Sequence, residues 1–258
     1  VVAESFFLPL AEGRWRATAH TVGPWDERFQ HGGPPSALLG RAVESVAPRD
    51  DVMVARMTVE ILGPIPVGDL ELSARLVRPG RSVELVQAVL SADGRDVARA
   101  QAWRVLRTEA TSTPPRHPSP PPLPEAAVDV DTGGWIDGYL SAVEWRFARG
   151  HFTERGPATA WTRLRVPIVI DETPSPLQRV LAVADSGNGI SSELNLTKWH
   201  FINPELTVHL HREAVGEWVC LDATTTISTG GAGLATSVLS DLDGPVGMGA
   251  QSLLVARR

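Results

Sequence analysis

Three groups of side chains in this chain of 258 residues have the types and settings that chemistry needs. The first is Gln30-His31-Gly32-Gly33-Pro34-Pro35. Paired glycines let a backbone turn sharply and approach a ligand closely. A helix starting just beyond them presents free N–H groups and a positive dipole end to a carbonyl oxygen that gathers negative charge. His31, Gly32 and Gly33 are therefore candidate substrate-binding residues, with a plain loop-to-helix entry as the alternative; no local spacing makes His31 a base. The second group is Glu205, Thr226 and Gln251. A carboxylate can take a proton from water, while a hydroxyl and an amide hold that water without taking charge. Their spacing alone does not unite them; they meet only if the strands carrying them are neighbours, and each also reads as an ordinary strand residue. The third is Asp185, in Ala182-Val183-Ala184-Asp185-Ser186-Gly187-Asn188-Gly189. An acid at a helix C-terminus is opposed by the macrodipole, so it either binds water in a cleft or hydrogen-bonds the turn that follows.

Other chemistries find no support. His209 and His211 alternate on a strand and share a face, but no compact Asp/Glu/His set surrounds them, so no metal site is expected. There is no Gly-x-Ser-x-Gly, Gly-x-x-x-x-Gly-Lys or His-Glu-x-x-His pattern. A net charge of −6 argues against a nucleic-acid partner, which calls for a basic face. The single cysteine, Cys220, excludes an intrachain disulfide and a multi-thiolate zinc site, and fits a reducing, cytoplasmic setting. Val1–Leu10 does not read as a signal peptide, and no apolar run approaches the ~20 residues of a membrane helix. Lys198 is the only lysine among 24 basic residues, a bias read as genomic first. Trp15, Trp25 and Trp199 suit a core or the rim of an apolar pocket.

The elements that must position these groups come in two sets. Thr113–Glu125 is proline-rich and cannot continue a helix or central strand. It reads as an extended connector, with a ligand for a proline-recognition domain as the sharper alternative. It divides the chain into units 1–112 and 126–258, and these resemble each other. Met57-Thr58-Val59 answers Leu206-Thr207-Val208, and Val89-Leu90-Ser91 answers Val238-Leu239-Ser240, both 149 positions apart. Val67-Gly68 answers Val215-Gly216 at 148, while Asp93-Gly94 with Asp243-Gly244 and Ala100-Gln101 with Ala250-Gln251 stand 150 apart. At the spacing of 149, Glu205 faces Arg56 and Thr226 faces Val77, or Arg78 after a slip of one; a full polar set then exists only in the second unit. Alternating runs such as Leu70–Val77 and Val83–Val89, and their counterparts between Leu206 and Val255, predict long antiparallel strands with one buried face. Helical spacing predicts one helix ahead of the strands in each unit, about Pro34–Val46 and Ser175–Ser186. A helix wrapped by a curved antiparallel sheet, made twice, is an α+β double hotdog: two tandem hotdog units with their sheets joined edge to edge, which also covers edge strands.

The chain resembles the TesB-type (type II) acyl-CoA thioesterases, in the actinobacterial thioesterase-like branch. The resemblance is carried by His31–Ala42, Val77–Ser82, Ala182–Ser186 and the C-terminal strands through Gln251. It implies hydrolysis of fatty acyl-CoA to free acid and CoA without metal or organic cofactor, by a water that Asp, Thr and Gln activate. Matched by position, the Asp falls at Glu205, the Thr at Thr226 and the Gln at Gln251. Glutamate keeps the charge but is one methylene longer, which leaves Asp185 as the reserve acid. The acyl chain is then expected in an apolar tunnel between helix and sheet, with the pantetheine arm entering between the units. The competing readings are a non-catalytic acyl-CoA binding protein and a hotdog enoyl-thioester hydratase, for which His31 with Asp185 is the pair to nominate. Hotdog proteins usually pair further, so a homo-oligomer is also expected.

Overall fold

The computed structural model describes residues 5–108, 118–127, 137–195 and 198–258. The first unit contributes β1 (Phe7–Ala11), β2 (Arg14–Ala17), α1 (Gly33–Ser45), β3 (Val52–Ile61), β4 (Asp69–Arg78), β5 (Val83–Ala92) and β6 (Arg95–Leu106). The second contributes α2 (Tyr139–Ala142), β7 (Val143–Arg149), β8 (Ala158–Leu164), α3 (Pro176–Ala184), α4 (Gly187–Ile190), β9 (Trp199–Ile202), β10 (Glu205–Leu210), β11 (Val219–Ile227), β12 (Ala232–Asp241) and β13 (Gly244–Arg257). The two expected helices are α1 and α3, each with proline in its first turn, where a missing N–H leaves no bond unmade. Ser175 caps α3 by accepting the Gln178 N–H at 3.2 Å.

All the strands belong to one antiparallel sheet, in the order β1-β2-β4-β5-β6-β3-β10-β13-β12-β11-β8-β7, with β9 beside β13. Read inward from either edge, equivalent strands follow in the same order, which is the signature of a copied unit. The copies join through β3 and β10, where Thr58 pairs with Thr207 and their hydroxyls lie 3.1 Å apart. The same irregularity recurs in both: Leu90/Ser91 interrupts the β5–β6 ladder where Leu239/Ser240 interrupts β12–β13. Both expected hotdog units are thus present, fused into one sheet.

The register also corrects two of the repeats. Thr58 faces Gln101 across β3–β6, and Thr207 faces Ala250 across β10–β13. Gln101 is therefore equivalent to Ala250, and Gln251 to Ala102. Likewise the β5–β6 turn is Asp93-Gly94, whereas the β12–β13 turn is Leu242-Asp243. A slip of one residue in a strand exchanges its faces, which is why Gln101 is exposed and Gln251 buried.

On the inner face, α1 and α3 pack against each other and against the sheet. Leu38, Leu39, Val43, Val180, Leu181, Leu206, Val208, Leu221 and Leu239 belong to one buried apolar cluster. Part of the proline-rich segment lies outside the described residues. The remainder runs along β7 and β8: Trp161 donates its indole N–H to the Pro121 carbonyl (3.1 Å), and Arg146 donates to that of Pro124 (2.9 Å). No described helix is long and apolar enough to cross a membrane.

Candidate active site

The site forms where two helix ends meet. Gly32 is the N-cap of α1 and Asp185 the C-cap of α3, and the helices run antiparallel. The Asp185 carboxylate, unfavourably placed at the end of its own helix, lies against the positive start of the other, which offsets that cost. The approach demands glycine. A Cβ on Gly33 would sit 2.0 Å from the Ala182 carbonyl oxygen, and one on Gly32 would sit 2.6 Å from Asp185 Oδ2.

Asp185 is 5% exposed, and its two oxygens have different surroundings. Oδ1 accepts hydrogen bonds from Asn203 Nδ2 at 2.7 Å and Gln251 Nε2 at 3.2 Å. The same Gln251 nitrogen donates to the Asp185 main-chain carbonyl at 2.9 Å, while Gln251 Oε1 accepts the Asn188 N–H at 3.0 Å. Asn203 Nδ2 also donates to the Glu205 carbonyl at 3.3 Å. Both amides are thereby fixed, and Oδ1 with them. Oδ2 accepts no hydrogen bond among the described residues and lies 3.5 Å from His31 Nδ1.

That 3.5 Å approach is an ion pair only if the imidazole is charged. Burial holds the ring's pKa below its ordinary value despite the opposing pull of Asp185, and Nδ1 already accepts the Gly33 N–H at 3.0 Å. A nitrogen that accepts carries no proton, so His31 stands as a neutral imidazole. It stacks on Tyr139 with centroids 3.8 Å apart. The Tyr139 hydroxyl donates to the Ala182 carbonyl (2.9 Å) and lies 2.9 Å from Ser186 Oγ, and burial raises the phenol's pKa. The ring is a fixed wall of the site.

Of the expected set, Gln251 reaches Asp185, but Thr226 and Glu205 do not. Along β11 every second residue from Val219 to Thr225 (Val219, Leu221, Ala223, Thr225) is buried while Asp222, Thr224 and Thr226 are exposed, so period-two alternation sends Thr226 to the outer face. It is Thr225 that turns inward, to Ser191 Oγ at 2.8 Å; Ser191 in turn donates to the Gly187 carbonyl at the start of α4. Along β10, Leu206, Val208 and Leu210 face in, so Glu205 faces out. Its oxygens accept the Ser252 N–H (2.6 Å) and the Thr207 hydroxyl (3.0 Å). The carboxylate beside His31 and Gly32 is thus Asp185, held by Gln251 and by Asn203, a residue that no sequence motif singles out. Alternation in the strands was a usable signal for Thr225 over Thr226; nothing local marks Asn203, whose partner lies 18 residues away.

Asp185, His31, Gly32 and Asn203 line a pocket of about 200 Å³. Its other walls include Trp25, Phe29, Ile61, Pro64 and Ile65 from the first unit and Leu140, Phe152, Ser186, Asn188, Phe201 and Ile202 from the second. It therefore opens between the two units. Trp25 is on the pocket rim, Trp15 in the core, and Trp199 packs against the smaller buried cluster of Phe201, Ala235, Leu253 and Val255. His209 and His211 are exposed and away from the pocket, and the described residues contain no group of three or more His, Cys, Asp or Glu able to hold a metal.

Solved structures share this architecture. A candidate thioesterase from Novosphingobium aromaticivorans DSM 12444 is 22% identical, with 96% of this chain and 98% of that one covered, at a TM-score of 0.74. A protein of unknown function with a hot dog fold from Alicyclobacillus acidocaldarius is 17% identical over 99% and 97%, at 0.73. The acyl-CoA thioesterase II TesB2 from Mycobacterium marinum is 16% identical over 98% and 95%, at 0.67. At such identities the likeness is one of fold, and no curated protein sequence matches the chain. Family membership rests on sequence models: residues 21–105 match the acyl-CoA thioesterase N-terminal domain, and residues 111–255 match the acyl-CoA thioesterase C-terminal domain. With both domains matched in order around a helix-end carboxylate, this chain belongs to the acyl-CoA thioesterase family.

Proposed function

We propose that Asp185 is the general base of acyl-CoA hydrolysis in this chain, acting through Oδ2. The observation that carries the reading is the asymmetry of its carboxylate. Asn203 and Gln251 hold Oδ1, while among the described residues Oδ2 accepts no hydrogen bond and lies beside the pocket. A water against Oδ2 gives up its proton there as its oxygen attacks the thioester carbonyl carbon. Negative charge gathers on the carbonyl oxygen at the start of α1. Pro34 and Pro35 have no N–H and that of Gly33 is taken by His31, so the Gly32 N–H is the backbone donor left for it. Collapse breaks the C–S bond, the thiolate of CoA leaves, and the proton on Asp185 passes to it or to solvent. Free acid and CoA are the products.

The scheme requires no metal or organic cofactor, and CoA enters as part of the substrate. A hydratase would use His31 as a proton-transfer partner of Asp185, but its Nδ1 is occupied by Gly33. A cytoplasmic setting and assembly into a homo-oligomer accompany this reading; sedimentation of the purified chain tests the latter. The catalytic assignment is tested by CoA release from acyl-CoA. Asp185→Asn is expected to lower kcat by about 10²–10⁴-fold, Gln251→Ala to follow it part of the way, and Glu205→Gln to stay within threefold of wild type. Full turnover by Asp185→Asn, or loss confined to Glu205→Gln, overturns the assignment. Ligand binding by wild type with no turnover of any acyl-CoA would return the binding-protein reading.

A further inference from the structure

The pocket also constrains the substrate. Its rim is exposed: Trp25 and Ile202 are each about half exposed, and Pro64 is exposed beside them. Its floor is buried. Ile65, Leu140 and Phe152 are each 4–6% exposed, as is Asp185 among them. A thioester carbonyl brought to Asp185 therefore already stands at the bottom, with the CoA arm filling the rim and only the floor left for the acyl group. That floor is backed by rigid aromatics. Phe152 meets Trp145 edge-on at 4.9 Å and Phe147 at 5.0 Å. Trp145 is fully buried and donates its indole N–H to the Leu140 carbonyl at 3.0 Å. No long chain passes that way without displacing packed rings.

Resting on the hydrolase reading above, we infer that this site selects compact acyl groups, with Phe152 and Leu140 setting the limit. An apolar cavity of ~150 Å³ holds benzene, so the whole pocket of about 200 Å³, rim included, sets a ceiling of roughly eight carbons. A longer chain must leave its tail at the wet rim or force the aromatic wall, and either forfeits binding.

The experiment is kcat/KM for CoA release across saturated acyl-CoAs from acetyl to palmitoyl. The expected profile peaks at or below about eight carbons and falls at least about tenfold by palmitoyl; a peak at dodecanoyl or longer overturns the inference. Phe152→Ala removes six ring carbons from the wall and is expected to move the peak to longer chains. Gly189→Leu covers the case in which that variant does not fold. Gly189 lines the pocket and a Cβ there meets no atom within 4 Å, so leucine at this position takes up room at the pocket wall and is expected to cost octanoyl turnover more than acetyl turnover. An unchanged octanoyl-to-acetyl ratio in Gly189→Leu counts against a size limit. No CoA release from any chain sinks the hydrolase reading instead. Calorimetry with non-hydrolysable thioether analogues then still reads the pocket: an octyl analogue bound at least about tenfold more tightly than a hexadecyl one supports the limit, and the reverse order overturns it.

Discussion

Gly33→Ala offers the sharpest test of the idea that the gap between α1 and α3 places the catalytic carboxylate. The added methyl would stand 2.0 Å from the Ala182 carbonyl oxygen and 3.0 Å from its carbon. A Cβ essentially never comes within 3.0 Å of another heavy atom, so the helices must part by about 1 Å at this point. The obstacle is backbone, and no rotamer change relieves it. Ala182 lies three residues before Asp185 on the same helix, and Gly32 is Gly33's neighbour, so the movement is delivered to the contact between the proposed base and the proposed oxyanion donor. Displacement by about 1 Å costs on the order of 100-fold in rate, close to 2.7 kcal/mol of barrier. Gly40→Ala is the control on the same helix. Its methyl would stand 2.5 Å from Leu181 Cδ1, the far end of a side chain that can rotate, and in ordinary contact with Leu177 at 3.6 Å, while alanine gains about 1 kcal/mol of helix propensity over glycine. Steady-state release of CoA, with circular dichroism to verify folding, is expected to show a folded Gly33→Ala down about 100-fold in kcat and Gly40→Ala within threefold of wild type. A folded Gly33→Ala of full activity, or equal losses in both variants, would refute the reasoning.

Two further predictions concern groups outside the reaction. At the opposite end of the helix pair, Ser175 Oγ lies 2.8 Å from both oxygens of Glu44, and Gln178 donates to Oε2 at 3.0 Å. Burial raises the Glu44 pKa, against the lowering effect of the Gln178 and Ser175 bonds. A raised carboxylate means that the folded state binds more protons than the unfolded one above pH 4.5, so its stabilising share is full at lower pH and is lost as pH rises through the folded value. Urea denaturation is expected to show Glu44→Gln gaining on wild type between pH 4.5 and pH 8; the opposite trend refutes this. Cys220 is 1% exposed, and burial, with Asp222 second, pushes its thiol up to about 12. It is expected to resist a thiol reagent in the native protein and to react with one equivalent in denaturant, which leaves the reagent free to count CoA; rapid native labelling would contradict the packing.

Much of the architecture was legible from residues alone. Thr58 and Thr207, 149 positions apart, announced the duplication and became the pair at its centre. Leu38, Leu39 and Val43 on one side, and Leu177, Val180 and Leu181 on the other, declared two apolar helix faces. These signals are local, because apolar periodicity states which face is buried wherever the rest of the chain goes. Gln251, His31 and the glycines before α1 were also named from sequence, and the acid at the end of the second helix was marked by its conflict with the dipole. The strand residues were harder. Similar dipeptides at a spacing of 150 concealed a true register of 149, and Thr226 and Glu205 were chosen one position away from the inner face, where a single step exchanges inside for outside.

What tertiary structure alone decided is which groups share Asp185. Asn203 comes from the entry to β10, Gln251 from the last strand, and Gly32 from the start of a helix in the other unit. Their meeting depends on two antiparallel helices whose unlike ends abut, and on a sheet register that carries β13 beneath them. Chain order encodes the preferences of each segment, but the distance from one carboxylate oxygen to its donors is set only when all those segments are packed at once.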